Sequence, residues 1–208
     1  MKLVTMSKRS CFGAYSMGSP LGPTFANYYM CYLENKLLNQ SRISNPFFYL
    51  RYVDDIFVIF NAKNHYRYFI NRLEKESVLK FTHEFMENNT FNFLDIKLDF
   101  SNDGNISTSV YVKPTDKGIY ANFHSHIPQQ YKKSVINTLI NRALKYSSSW
   151  ETCHAEFNRI RQVFSNNNYP QALIDENIEK KVSAFFAQSS SSTKPESIYF
   201  FCAVILSQ

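Results

Sequence analysis

The sequence predicts an α+β fold, with antiparallel strands first and helices after them. Three observations carry this. Two apolar runs, 47–53 and 56–60, flank the pair Asp54-Asp55; further strand candidates follow; and from Pro128 onward the apolar residues recur at helical spacing. Strands gathered in one stretch and helices in the next form the α+β pattern, whereas regular alternation would indicate a parallel α/β sheet.

In chain order, Pro20 and Pro23 precede Phe25, Tyr28, Tyr29, Tyr32, Leu33, Leu37 and Leu38. That spacing, close to 3.6, predicts one helix running to about Asn39 with a wide aromatic face. The two apolar runs around Asp54-Asp55 read as strands joined by a very tight turn, with the acids at its tip. Residues 63–77 are charged and helical in pattern. Strand candidates lie near Phe81, over 91–100 and over 106–112, the last two separated by the turn Ser101-Asn102-Asp103-Gly104-Asn105. After Pro128, Tyr131, Val135, Ile136, Leu139, Ile140, Ala143 and Leu144 predict a helix, Phe157, Ile160 and Phe164 a second, and a third follows Pro170. The expected division is a strand-rich part over 1–127, a helical part over 128–188, and a serine-rich linker with an atypical tail over 189–208.

Hydrophobic residues make up 44% of the chain and aromatics 16%, which excludes an intrinsically disordered polypeptide. The net charge of +6 favours polyanionic partners such as nucleic acid. Cys11, Cys31, Cys153 and Cys202 are too dispersed for a structural zinc site and read as reduced thiols of an intracellular protein, cytoplasmic or nuclear. His124 with His126, and Cys153 with His154, lack the further ligands zinc needs. The start of the chain has no apolar secretion segment, and the apolar run 198–206 is far short of the roughly 20 residues of a membrane-crossing helix, so no membrane partner is expected.

Side chains of consecutive strand residues point to opposite faces, so adjacent carboxylates share one site only where the chain turns. Asp54 and Asp55 lie at such a place. Two carboxylates held together repel unless a cation neutralises them, and hard oxygen ligands suit magnesium. Phosphoryl transfer uses this arrangement, with paired magnesium ions activating a hydroxyl and holding the leaving oxygens. An acidic pair at a hairpin tip is also what a merely solvated turn looks like, and its context has to decide.

Met17-Gly18-Ser19-Pro20-Leu21-Gly22-Pro23-Thr24-Phe25-Ala26-Asn27, followed by Leu50-Arg51-Tyr52-Val53-Asp54-Asp55-Ile56-Phe57-Val58-Ile59-Phe60, closely resembles two successive signature motifs of reverse transcriptases. Phe93-Leu94-Asp95 resembles the segment that grips the primer terminus. Val110-Tyr111-Val112-Lys113-Pro114-Thr115 with Gly118-Ile119-Tyr120-Ala121-Asn122-Phe123, and then Asn141-Arg142-Ala143, look like the stretch typical of Penelope-like, telomerase-related reverse transcriptases. The resemblance extends from about Gly13 to Ile174.

It implies part of a palm, made of antiparallel strands with covering helices, followed by an all-helical thumb. It also implies RNA-templated addition of deoxynucleotides to a primer 3′ end. The partners would be an RNA template, a DNA primer and deoxynucleoside triphosphates, with two magnesium ions for which manganese can substitute. Asp54 and Asp55 would be the catalytic metal ligands, Gly18, Ser19, Pro20 and Tyr52 would face template and nucleotide, and Phe93 and Leu94 would face the primer. Lys113, Lys132, Lys133 and Arg142, with Lys145, are candidates for the nucleic-acid backbone, although charged residues on a helix commonly form a solvated face. The resemblance further implies a metal-binding Asp on a strand ahead of the Gly-Ser-Pro loop, and residues 1–16 contain none. A nucleic-acid-binding remnant without catalysis is therefore the alternative, and a purely structural domain a third.

Overall fold

A computed structural model describes residues 2–10, 20–40, 45–62, 65–77, 79–101 and 103–189, which form two compact units, Met1–Phe93 and Leu94–Gln208. The architecture is α+β, as predicted. The first unit contains β1 (Lys2–Ser10), α1 (Gly22–Gln40), β2 (Phe48–Tyr52), β3 (Asp55–Phe60), α2 (His65–Glu76), β4 (Lys80–Phe85) and β5 (Thr90–Phe93). Four of its strands form an antiparallel sheet in the order β2-β3-β1-β4.

β3 is the centre of this unit, since Ile56, Phe57, Val58, Ile59 and Phe60 are all buried. Alternate residues serve opposite faces. Ile56, Val58 and Phe60 pack with Val4 and Met6 of β1, with Met30, Leu33 and Leu37 of α1, and with Tyr66, Phe69, Ile70 and Leu73 of α2. On the other face Phe57 meets the rings of Phe48, Phe91 and Phe93 at 6.1, 5.5 and 5.4 Å. A strand covered on both faces reads as a continuous apolar run, which is why 56–60 was legible.

β1 is not foreseen by the sequence pattern. Val4 and Met6 alternate inward, but Lys2, Lys8 and Arg9 hide the short alternation. α1 also differs from expectation, because its core face is Met30, Leu33 and Leu37. The aromatic face of Phe25, Tyr28, Tyr29 and Tyr32 is left exposed. The strand expected over 91–100 is interrupted, with β5 ending at Phe93 and the next strand starting at Ile96. Leu94, at φ 55°, breaks the extended run.

In the second unit β6 (Ile96–Phe100) and β7 (Ile106–Val110) pair antiparallel. The predicted turn joins them, and Gly104 takes φ 80° there, a region open to glycine at no steric cost. Three helices follow, α3 (Gln129–Tyr146), α4 (Trp150–Asn166) and α5 (Gln171–Ser189). Their shared core includes Ile136, Ile140, Phe157, Ile160, Phe164 and Ile174. Ser149 caps α4 by accepting the Thr152 amide at 3.2 Å. The compact units divide at Phe93/Leu94, and β7 belongs with the helices. The Ser148 amide donates to the Thr108 carbonyl at 3.0 Å and the Thr108 amide to Ser148 Oγ at 2.9 Å. The expected linker and tail beyond residue 189 lie outside the described residues.

The extended segment before α3 is held by Asn167 at the end of α4. Its side chain accepts the Tyr120 amide at 3.1 Å and donates to the carbonyls of Gly118 and Val163 at 2.9 and 2.7 Å. Gly118 has φ 65°, and a Cβ there would lie 3.1 Å from Val163 Cγ2, so both backbone and space require glycine. Asn167→Ala leaves these half-buried groups without their partner. It should cost about 2 kcal/mol, read as a lower urea midpoint at unchanged slope.

Candidate active site on the acidic hairpin

β2 and β3 pair in register through Tyr52↔Asp55, so the connecting loop is only Val53-Asp54. A two-residue hairpin needs positive φ at its first loop residue, a role that usually falls to glycine. Here Val53 takes it, at φ 52°. For a β-branched side chain that conformation costs on the order of 1–3 kcal/mol and persists only where surrounding contacts impose it.

The strand that leads into this turn is braced by α1. Tyr49 and Arg51 share one side of β2, since their partners Val58 and Ile56 face the helix-covered core. Both reach Glu34. The Tyr49 hydroxyl donates to Glu34 Oε1 at 2.8 Å, and Arg51 Nε donates to the same oxygen in an ion pair whose side chains are only 12% and 16% exposed. Arg51 Nη2 also donates to Asn27 Oδ1 at 2.8 Å, and Nη1 to the Val53 carbonyl at 3.3 Å. Burial, then the Glu34 charge, pushes the Tyr49 phenol well above its ordinary range. Burial opposes the charge on Arg51, but Glu34 outweighs it and raises the guanidinium pKa.

Beside this network an open groove of about 560 Å³ is lined by residues that include Pro23, Asn27, Met30, Arg51, Tyr52 and Asp54. Asp54 and Tyr52 thus meet at the groove, with Asp54 exposed at the tip. Asp55 is half-buried and opens β3. On its other side β3 pairs with β1, which sets Ser7 opposite Asp55. β1 carries no Asp or Glu, and among the described residues no group of three or more His, Cys, Asp or Glu converges. Asp54 is among the groove's lining residues and Asp55 is not; a magnesium ion shared by the two would complete its shell with water and substrate phosphates, and the pair does not make a full two-ion site.

Of the other predicted site residues, Pro20 is exposed ahead of α1, while Gly18 and Ser19 lie outside the described residues. Phe93 is buried against Phe57, so its ring is core and does not offer a surface to a primer. Leu94 is 38% exposed. Lys113 and Lys133 are exposed. Lys132 requires a correction, because it does not lie on the polar face of α3. It is buried, and its ammonium donates to the Phe123 and Ser125 carbonyls at 2.6 and 2.7 Å, which commits its charge internally. Arg142 is half-buried and paired with Asp95 at 3.1 Å. Cys153 is buried, and burial pushes its thiol up to about 11, away from the thiolate a metal would bind. The residues that sequence reasoning missed are Asn27, Glu34 and Arg51. A signal existed, since Glu34 is the first charged residue after Arg9 and the sole acid of α1.

The sequence profile of a family described as an animal helix-turn-helix domain matches residues 119–179. The match spans the Asn167-clasped segment, α3, α4 and the first half of α5, well under half of the chain. The connections 147–149 and 167–170 are short enough for helix-turn-helix geometry. No curated protein matches the chain.

Glu34→Ala would leave Arg51 charged and enclosed without its partner, whereas Tyr49→Phe removes a single neutral donor. Urea unfolding should show a loss of about 2–3 kcal/mol for the first and about 1 kcal/mol for the second. Equal effects would deny the ion pair its place in the unit.

Proposed function

We propose that the chain is a palm-and-thumb portion of an RNA-directed DNA polymerase, with its chemistry at the β2–β3 tip. The observation that carries this reading is the acidic two-residue hairpin, set in strained backbone at the rim of a groove and braced by α1. A turn that served only to reverse the chain would gain from glycine at Val53.

Asp54 and Asp55 would hold magnesium jointly with substrate phosphate oxygens. Bound there, the ion supplies charge neutralisation for the attacking hydroxyl and the transferred phosphate. The chain's own residues do the positioning. β3, locked on both faces, fixes the height of the tip; Arg51 and Glu34 tie it to α1; Tyr52, 60% exposed, offers a flat ring beside the acids for a sugar or base. β1 lies ahead of the Gly-Ser-Pro loop but carries no Asp or Glu, so the third carboxylate that the resemblance implies would come from a further strand.

Magnesium-dependent extension of a DNA primer on an RNA template tests this in a protein that supplies that strand. Asp54→Asn should reduce extension by at least about 100-fold while leaving primer–template affinity within about twofold. Undiminished extension would remove Asp54 from the metal site.

A second reading, nucleic-acid binding without catalysis, is favoured by the helix-turn-helix match and by the charge of α3. That helix has no Asp or Glu in its 18 residues, and Lys133 and Lys145 are exposed on it. In α4 and α5, by contrast, Arg159 pairs with Glu156 at 2.6 Å and Arg161 with Asp175 at 2.7 Å. If α3 meets phosphates, Lys133→Ala should lower the slope of log affinity against log salt for duplex by about 1, while Lys132→Ala should leave the slope unchanged. Equal slopes for Lys133→Ala and the unaltered chain would take α3 off the duplex.

A further inference from the structure

Arg51 stands between two things the groove requires to be joined, a helix and a strained turn. Its guanidinium spends Nε on Glu34 and Nη2 on Asn27, and directs Nη1 at the carbonyl of Val53. The fork is nearly enclosed, with the side chain 12% exposed, so it cannot swing away without breaking the pair with Glu34. Val53 is the residue that takes positive φ without being glycine or asparagine in this loop, and the carbonyl Arg51 holds is its own. The peptide after that carbonyl leads directly into Asp54, so fixing the carbonyl fixes the direction in which the Asp54 side chain leaves the turn.

We propose that Arg51 is the positioning residue of the acidic turn: braced on α1 by Glu34 and Asn27, it grips the Val53 carbonyl and imposes the strained backbone that presents Asp54. Lysine would not replace it, because a single ammonium has no rigid fork with which to serve three acceptors. The inference rests on Asp54 and Asp55 as cation ligands, and it gives the α1–β2 network a role beyond stability. An outer partner of this kind governs ligand orientation, and its loss typically weakens metal binding by about 10–100-fold.

The test uses the full chain with terbium(III) ions, a probe for oxygen ligands whose luminescence is excited through tyrosine, Tyr52 adjoining the site. Asp54→Asn should abolish tyrosine-sensitised binding. Arg51→Gln and Arg51→Lys should each weaken it by about tenfold or more at temperatures well below unfolding. Adding Val53→Gly to Arg51→Gln should recover most of that loss, because glycine adopts the turn without the grip. A merely structural Arg51 would lower the unfolding temperature and leave terbium affinity of the folded protein unchanged, and that result overturns the proposal. Should Arg51→Gln fail to fold, Asn27→Ala removes one brace from an exposed position and should weaken binding in the same direction by a smaller factor; unchanged binding overturns the proposal equally. Undiminished binding in Asp54→Asn would instead sink the carboxylate reading. Amide hydrogen exchange then decides the grip by itself, since exchange at Asp54 and Asp55 should quicken in Arg51→Gln, and unaltered exchange refutes it.

Discussion

The first unit depends on one constraint, that β3 is buried on both faces. A shift by a single position would exchange Phe57 with the residues that face α1 and α2 and draw Asp55 or Asn61 into the buried stretch, so packing on both faces holds β3 in one register. Since β3 begins at Asp55, fixing its register also fixes where the acids emerge. Packing that is entirely apolar thereby sets the position of the most polar feature of the unit. The shortness of the loop follows too, for Tyr52↔Asp55 is the final pair and only two residues remain to reverse the chain.

The second unit reaches order by different means. Its helices share a core of Ile and Phe, but the segment before them has no regular structure of its own and relies on polar clasps, Asn167 at one end and the buried Lys132 at the other. These two residues explain why the helical core extends upstream over Tyr120 and Phe123, which pack against it. They also bear on charge. With Lys132 turned inward and the α4 arginine side chains paired with acids, the outward basic character of the helices is concentrated on α3. The matched helix-turn-helix profile covers this same stretch, so the nucleic-acid readings of the helices converge on a surface smaller than their composition suggests.

Most elements were legible in the sequence because their apolar pattern exceeded the local noise. α1, β2, β3 and the three late helices lie within a few residues of expectation, and Gly104 sits in the turn foreseen for it. The failures have physical causes. β1 has a short, mainly apolar stretch, Leu3 to Met6, flanked by basic residues, and its place in the sheet comes from pairing with β3 and β4, which no local pattern encodes. Lys132 has the spacing of a surface residue, and only the path of residues 123–125 turns two carbonyls toward it. At the candidate site the acids were evident, being adjacent in sequence, but the brace was not. Glu34 and Arg51 are separated by 17 residues and meet only once a helix and a strand are packed.

Backbone strain gives the acidic hairpin its remaining significance. Among the described residues positive φ falls on Gly104 and Gly118, on Asn88, Asn89 and Asn168, and on Val53 and Leu94. Glycine and asparagine tolerate that region, so five of these positions follow local preference. Val53 and Leu94 do not, and a sequence that obeys local rules elsewhere departs from them where another demand outweighs stability. For Val53 the other demand is visible in the surroundings: a carbonyl held by a guanidinium, a groove beside it, and a carboxylate immediately after. Folding alone would favour glycine at that turn. A backbone held against its preference next to two acids is therefore the feature on which the proposed site rests.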